Sequence, residues 1–193
     1  MTPEQRRRQL LSVAGELLTD KGVDRLNIAG LAAAAGVTRP IVYRHFPNRQ
    51  ALIVALLEDF ESTLTERFVS HAMSSIPGNI TDITRVFVSV ACDTIEARGA
   101  GAWHLLDARG SDPRVVKVGR EIQARLMAPW KGAIGETTLS TEREVDTASR
   151  MILAAGRAVL DLWLEGLLTR EEAVRDAARG ISGILGAFSR DSI

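Results

Sequence analysis

The sequence predicts an all-α protein, and three observations support that fold class. Almost every segment places its apolar residues at helical spacing, and no stretch shows the sustained alternation of a half-buried strand. Glycine or proline separates most of the segments. The length of 193 residues allows one large domain or two small ones, and 46% hydrophobic with 25% charged residues is typical of a globular protein. The single cysteine excludes an internal disulfide.

A capping box marks the start of the first predicted helix. Thr2 is the N-cap and Gln5 lies three residues later, so each side chain can hydrogen-bond the backbone N–H of the other residue. The helix ends at Gly22, because glycine readily adopts the left-handed conformation that closes many helices. Asn27 then caps a short second helix over residues 28–35.

A tight turn centred on Gly36 separates the second helix from a shorter third one, which begins after Thr38 and ends at Phe46. Two short helices joined by a glycine turn form a helix-turn-helix. Its expected core is small and apolar, and consists of Leu31, Ala32, Ala35, Val37, Val42 and Phe46. Asn48 is the expected N-cap of a long fourth helix.

The helix-turn-helix domain is predicted to cover residues 1–47, and a second, all-helical domain is predicted over residues 48–193. In the second domain, Pro-Gly-Asn at 77–79 is the clearest loop, and the glycines at 99 and 110 end further helices. Its predicted helices cover residues 81–98, 102–109, 142–168 and 170–189, with another that starts at Pro113 and ends or kinks at Pro129.

The last two predicted helices begin with capping boxes, at Thr141 with Glu144 and at Thr169 with Glu172. The final helix carries two neighbouring apolar stripes. One is mostly small and contains Ala173, Ala177, Gly180, Ile184 and Ala187; the other is larger and contains Val174, Ala178, Ile181, Leu185 and Phe188. An outer helix of a monomer needs only one such face, so the second stripe predicts packing against another helix.

Several features of the N-terminal segment favour DNA binding. Basic side chains outnumber acidic ones in residues 1–50. Burial of the small core leaves polar side chains on the outer face of the third helix, namely Thr38, Arg39, Tyr43 and Arg44. The free N–H groups at the start of the fourth helix would attract a phosphate, and Arg49 adds charge there. A helix pair with a glycine turn also occurs as a purely architectural element, which stays an alternative.

The string from Ile28 to Leu52 resembles the DNA-binding signature of the TetR family of bacterial transcriptional regulators. The Ala-Gly-Val turn at 35–37, the Tyr-x-His-Phe stretch at 43–46 and the capped fourth helix all occur in register. The resemblance covers residues 6–57, and the remaining helices are similar only in number and approximate length. It implies an N-terminal three-helix DNA-binding domain and a C-terminal helical domain for ligand binding and dimerisation.

By this resemblance the DNA-binding residues are Asn27, Thr38, Arg39, Pro40, Tyr43, Arg44, His45 and Arg49. The residues at 38–40 would open the recognition helix, Tyr43 and His45 would contact phosphates, and Arg44 would be available to bases. Arg49 lies where the family usually has a lysine near the DNA backbone, and Asn27 lies where it usually has a threonine. Packing beside Phe46 is the alternative for His45. Ala29 and Gly30 replace common polar residues, which predicts one backbone contact fewer.

The resemblance further implies a homodimer formed through the last two helices, a roughly palindromic operator and a small-molecule effector bound among the central helices. The candidate effector-binding residues are Phe87, Cys92, Trp103, His104, Gln123, Met127, Trp130, Asp161 and Trp163. Tryptophan and methionine at helical spacing are also typical of a core, so packing is the alternative for these positions. Repression that the effector relieves is the expected activity, and nothing in the sequence identifies the effector.

Catalysis, a cofactor and a bound metal are not expected. His45, His71 and His104 lack metal-ligand spacing, and no Cys–His or Ser–His–Asp arrangement can be proposed. The sequence contains no predicted signal peptide or membrane span, which favours a cytoplasmic protein. Two alternatives to a sequence-specific regulator stay open: an all-α small-molecule carrier or enzyme with an architectural helix-turn-helix, and a protein that coats DNA without sequence preference.

Overall fold

The computed structural model describes the backbone of residues 1–75, 80–106, 112–137 and 141–188, and the regular elements in these ranges are helices. The predicted all-α class is therefore confirmed. The helices are α1 (Pro3–Lys21), α2 (Ile28–Ala34), α3 (Arg39–His45), α4 (Arg49–Ser75), α5 (Ile80–Arg98), α6 (Ala100–Leu105), α7 (Pro113–Thr137), α8 (Glu142–Leu164) and α9 (Arg170–Ala187), with a 3₁₀ turn over Val23–Arg25. The predicted loop at 77–79 and the predicted stop at Gly110 lie outside the described residues.

Local capping signals place the ends of the helices close to where the sequence predicts them. The capping boxes of α1, α8 and α9 are all formed. At the start of α9, the backbone N–H and then the hydroxyl of Thr169 donate to the Glu172 carboxylate, and these bonds lower the pKa of that carboxyl. Gly22 closes α1 with a φ of 74°.

Two predicted helix ends in the rest of the chain were wrong, and a third prediction is decided in part. Helix α7 continues past Pro129 to Thr137, so it does not end there, and a kink at Pro129 stays a prediction. Helix α8 ends at Leu164 rather than near residue 168, because Gly166 turns the chain with a φ of 73°. Helix α6 covers Ala100–Leu105, whereas the sequence predicted residues 102–109.

The chain divides into two compact units. The first contains Met1–Thr63 and Thr94–Gln123, and the second contains Leu64–Asp93 and Ala124–Ile193. The first unit therefore contains more than the predicted domain over residues 1–47. That the DNA-binding domain ends at residue 47 stays a prediction.

Large apolar side chains form the core of the first unit. Those with almost no exposed surface include Leu10, Leu26, Leu31, Val42, Phe46, Leu52, Leu57 and Phe60. Of the small helix-turn-helix core, Leu31, Ala32, Val42 and Phe46 are buried, while Ala35 and Val37 are half-buried. The buried residues of α2 and α3 belong to the same unit as α1 and the start of α4, so packing contributes to holding the helix pair in place.

In the second unit, one apolar cluster joins four helices. Met127, Ala148, Ile152, Ile181 and Leu185 are buried in it, and Ile83, Phe87, Val145, Leu153, Ile184 and Phe188 pack against it. The larger stripe of α9 thus faces the core of its own unit. The small stripe is divided, since Ala173 and Ala177 are buried but Gly180 and Ala187 are exposed.

In the part of the chain that the structure describes, none of the helices combines the length and the apolar composition needed to cross a bilayer.

Candidate nucleic-acid interface

Asn27 fixes the start of α2 with both ends of its side-chain amide. Its Oδ1 accepts a hydrogen bond from the backbone N–H of Gly30 at 2.8 Å, and its Nδ2 donates to the carbonyl of Arg25 at 3.1 Å. The predicted N-cap is therefore confirmed. The contact of Asn27 with a phosphate stays a prediction.

The turn after α2 is a Schellman motif. Val37 N–H donates to the carbonyl of Ala32 at 3.0 Å, and Gly36 N–H donates to that of Ala33 at 3.3 Å. Gly36 has a φ of 62°, a conformation that glycine adopts without the steric cost of a Cβ. This geometry satisfies the last carbonyls of α2 and turns the chain directly into α3.

Helix α3 presents a polar face over an apolar one. Val42 and Phe46 are buried, with 0% and 1% of their surface exposed, whereas Tyr43 is 51% exposed. Thr38, Arg39, Pro40 and Arg44 are exposed as well. The Thr38 side chain makes no capping hydrogen bond. The exposed face predicted for this helix is therefore confirmed, and its contact with DNA stays a prediction.

Arg7 of α1 packs against the end of α3. Its guanidinium carbon lies 4.9 Å from the centre of the Phe46 ring, and its Nη1 donates to the carbonyl of His45 at 3.4 Å. No sequence pattern predicts this contact, because the residues involved are far apart along the chain.

His45 is half-buried at the C-terminus of α3, and its ring lies 6.3 Å from that of Phe46. Burial lowers the pKa of His45 below 6.5, and the positive charges of Arg44, Arg7 and Arg6 lower it further. A neutral imidazole at neutral pH acts as a hydrogen-bonding group rather than as a cation. Contact with a phosphate and packing beside Phe46 are both compatible with this position.

The start of α4 carries one confirmed cap and one unexpected contact. Asn48 Oδ1 accepts from the backbone N–H of Ala51 at 2.8 Å, as the sequence predicts. The sequence predicts Arg49 beside the DNA backbone, but its guanidinium binds two backbone carbonyls that precede α2. Its Nε donates to the carbonyl of Leu26 at 2.7 Å and its Nη2 donates to that of Val23 at 2.5 Å.

The candidate effector-binding residues in the first unit have packing or backbone partners, or are exposed. Trp103 is buried, with its ring 6.4 Å from that of Phe60. Gln123 donates its amide to the carbonyl of Leu106 at 2.7 Å, and His104 is exposed. These residues stay predictions for effector binding.

The candidates in the second unit show a similar pattern. Met127 and Phe87 share the apolar cluster, Phe87 also meets Phe68 edge-on at 5.5 Å, and Cys92 is buried. Asp161 lies 3.5 Å from Arg157, and Trp163 is half-buried. The side chain of Trp130 lies outside the described residues.

Two cavities of the first unit contain none of these candidates. One, of about 380 Å³, lies among residues of α1, α4, α5 and α6, including Glu16, Asp59 and Arg98. The other, of about 370 Å³, is bordered by Arg7, His45 and Arg114. Within the described ranges, no group of three or more His, Cys, Asp and Glu side chains could hold a metal ion.

The helix-turn-helix segment is similar to known families of regulators. Residues 10–56 match the family profile described as bacterial regulatory proteins, tetR family. The nucleoid occlusion factor SlmA of Mannheimia succiniciproducens is 40% identical over 65 residues, which cover 33% of this chain and 30% of that protein. The chain thus spans about a third of the length of the first curated relatives that it matches.

One relative is similar over most of both chains. The HTH-type transcriptional regulator EthR of Mycolicibacterium smegmatis is 25% identical over 179 residues, which cover 93% of this chain and 79% of that protein. This similarity extends the match well beyond the helix-turn-helix.

Solved structures show the same fold over the whole chain. A tetR-family transcriptional regulator from Streptomyces coelicolor superposes with a TM-score of 0.74 at 20% identity, covering 100% of this chain and 86% of that one. The fatty acid degradation regulator FadR from Bacillus halodurans superposes with a TM-score of 0.75 at 14% identity, covering 94% and 95%. The helix-turn-helix signature and the profile match agree that residues 10–56 form a TetR-family DNA-binding segment, and the whole chain has the fold of solved TetR-family regulators.

Proposed function

We propose that this protein is a sequence-specific DNA-binding transcriptional regulator of the cytoplasm. The observation that carries the proposal is the exposed polar face of α3, with Tyr43 half-exposed above a buried Val42. Arginine, threonine and tyrosine side chains on an exposed helix can hydrogen-bond base edges and phosphates in a major groove. The profile match over residues 10–56 supports the assignment of this face to DNA.

The residues of the proposed interface divide into two roles. Thr38, Arg39 and Arg44 are exposed at the start and on the outer face of α3, from which they would reach bases. Tyr43 and His45 would contact phosphates, and Asn27 would do so from the start of α2. Pro40 shapes the first turn of α3 and offers no side-chain donor.

A homodimer through α8 and α9 is part of the proposal. The exposed Gly180 and Ala187 on α9, and the 44% exposed Met151 on α8, support an interface on these two helices. A two-fold dimer would present two copies of α3 to successive major grooves, so the operator would be roughly palindromic. An effector that prefers the conformation unable to bind DNA would release the protein from its operator. Repression would then be relieved by the effector.

The first experiment is the selection of bound duplexes from a genomic fragment pool at near-physiological salt. We expect enrichment of one roughly palindromic site. Recovery of no enriched sequence, with equal binding to all duplexes and loss at high salt, would favour a protein that coats DNA without sequence preference. No binding to any duplex would favour a carrier or enzyme with an architectural helix-turn-helix.

The enriched site then tests the interface with matched variants. Tyr43→Ala and Arg44→Ala each remove an exposed side chain, so we expect loss of operator binding without a change in the thermal melt or in the oligomeric state. Arg120→Ala, which removes an exposed arginine of α7, is the control and should bind like the parent. Operator binding at the parent's affinity by both α3 variants would show that the recognition face is assigned wrongly.

A further inference from the structure

The structure assigns Arg49 a positioning role: its guanidinium clamps the turn before α2 and so sets the orientation of the helix-turn-helix. This inference rests on the proposed DNA-binding function, and it replaces the phosphate contact expected for Arg49. Arg49 is the first residue of α4, and it binds the backbone carbonyls of Leu26 and Val23. These two residues precede it by 23 and 26 positions in the chain.

The two carbonyls that Arg49 reaches differ in the other hydrogen bonds they accept. Leu26 lies between the 3₁₀ turn and α2, and its side chain is fully buried. In the described residues, the hydrogen bond that its carbonyl accepts comes from Arg49 Nε. The Val23 carbonyl accepts the N–H of Leu26 at 3.2 Å in addition to Arg49 Nη2. A charged donor on a carbonyl forms a stronger hydrogen bond than a neutral one.

The position of Arg49 in α4 supports the same assignment. A cation in the first turn of a helix is disfavoured by the helix dipole. The clamp offsets that cost, because the guanidinium is half-buried against two carbonyl oxygens. Arginine suits this role because its Nε and Nη2 are held in one plane and can bind two acceptors at once.

The clamp acts on recognition through Asn27. Arg49 holds the turn over Val23–Leu26, and the next residue, Asn27, caps α2 through Gly30 and bonds back to the carbonyl of Arg25. Helix α3 follows α2 through the Schellman turn at Gly36. Fixing the turn to the start of α4 therefore fixes the direction in which α3 presents Tyr43 and Arg44.

Amide hydrogen exchange in the absence of DNA tests the clamp itself. In Arg49→Gln we expect the amides of Leu26, Gly30 and Leu31 to exchange about tenfold faster or more, because the turn opens locally. Arg120→Gln has the same change in charge on an exposed residue of α7 and should leave these amides unchanged. Parent-like protection of these amides in Arg49→Gln would overturn the clamp, whether or not the protein binds DNA.

The salt dependence of operator binding separates positioning from phosphate contact. In a plot of log affinity against log salt concentration the slope is negative. Loss of one phosphate contact makes it less steep by about 0.9, or by about 1.8 when both DNA-binding domains of a dimer lose the contact. Positioning predicts an unchanged slope, an operator affinity about tenfold lower or more, and little change in affinity for a scrambled duplex. A less steep slope, with an equal loss of affinity for the operator and for the scrambled duplex, would overturn the proposal.

Arg49→Lys is the second variant, for use if Arg49→Gln unfolds. Lysine keeps the charge near a phosphate but cannot hold two carbonyls with a planar pair of donors. We expect Arg49→Lys to show faster exchange at Gly30 and a lower ratio of operator to scrambled affinity, at a slope like that of the parent. Parent-like exchange and specificity in Arg49→Lys would overturn the need for the guanidinium. If the parent protein bound no duplex and the amides still exchanged faster in Arg49→Gln, the proposed function would be refuted. The clamp would then be a purely structural contact.

Discussion

The backbone N–H of Gly101 donates a hydrogen bond to the hydroxyl of Thr19 at 3.3 Å, and this bond joins the first turn of α6 to the end of α1. The same hydroxyl donates to the carbonyl of Gly15 at 3.0 Å. The two helices approach so closely that a Cβ added to Gly101 would lie 2.5 Å from the Leu18 Cγ, and one added to Gly99 would lie 2.3 Å from the Thr19 Oγ1. Close approach at this junction therefore requires glycine.

Gly101→Ala tests the junction between α1 and α6. The added methyl group would lie 2.5 Å from the Cγ of the buried Leu18 and 3.0 Å from its backbone carbonyl carbon, so we expect a loss of about 1–3 kcal/mol in the free energy of unfolding. Chemical denaturation measures the change. Gly30→Ala is the matched control, since its Cβ would make an ordinary contact of 3.5 Å with Asn27. It should stabilise α2 by up to about 1 kcal/mol. Equal stability of the two variants would contradict the close approach.

Operator affinity is expected to rise as the pH falls from 7.5 toward 5.5, because of His45. Burial and then Arg44, Arg7 and Arg6 hold the pKa of His45 below 6.5 in the free protein, so the ring is neutral at pH 7. A nearby phosphate favours the protonated ring, and binding therefore takes up a proton. Fluorescence anisotropy over this pH range measures the effect. His45→Gln should flatten the profile, and an unchanged profile in this variant would remove His45 from the interface.

The same lowered pKa affects folding in a defined direction. The unfolded chain binds a proton at His45 more readily than the folded one does, so the contribution of neutral His45 to stability is complete above pH 6.5 and is lost as the pH falls below it. His45→Gln should therefore reduce the loss of thermal stability between pH 7 and pH 5, as measured by calorimetry. A parent and variant with parallel profiles would show that another group controls this range.

Arg170 ties the start of α9 to α5 in the second unit. Its Nη2 lies 2.5 Å from the Asp93 carboxylate and 3.0 Å from the Ser89 hydroxyl. Because the Arg170 side chain is 37% exposed, screening limits the expected loss in Arg170→Ala to about 0.5–1 kcal/mol. A double-mutant cycle with Asp93→Ala isolates the pair. Arg179→Ala should lower the free energy of unfolding by less than about 0.5 kcal/mol. The Arg179 side chain is 79% exposed, and its Nη1 lies 3.9 Å from the Asp176 carboxylate.

Glutamate substitutions on α8 test the proposed dimer. Met151 and Leu162 are 44% and 38% exposed and lie three helical turns apart on the same face. A buried charge in an interface is costly, so each variant should raise the dissociation constant of the dimer about 100-fold or more. Sedimentation velocity measures the change. Val69→Glu, at a 48% exposed position of α4, is the control. Dimers of parent-like affinity in both α8 variants would move the interface elsewhere.

The sequence was sufficient to predict the helix-turn-helix because its signals are local. The Asn27 side chain caps α2 by accepting the N–H of the residue three positions later. The turn at Gly36 is closed by hydrogen bonds that span three and five residues, and the exposed face of α3 follows from its helical period. The capping boxes at Thr141 and Thr169 are local for the same reason. Interactions within one helical turn depend on residue types and spacing, which are visible in a sequence.

Contacts between residues that are far apart along the chain are visible only in the folded protein. Arg49 belongs to the α4 start in sequence but binds carbonyls before α2, and Arg7 covers Phe46 from another helix. Met127 and Phe87 pack in one cluster, and the sequence left both packing and a pocket open for them; their part in effector binding stays a prediction. Side chains of arginine, methionine and phenylalanine can serve either purpose, and the choice depends on which helices pack together. Packing is a property of the whole folded chain, so no local pattern determines it.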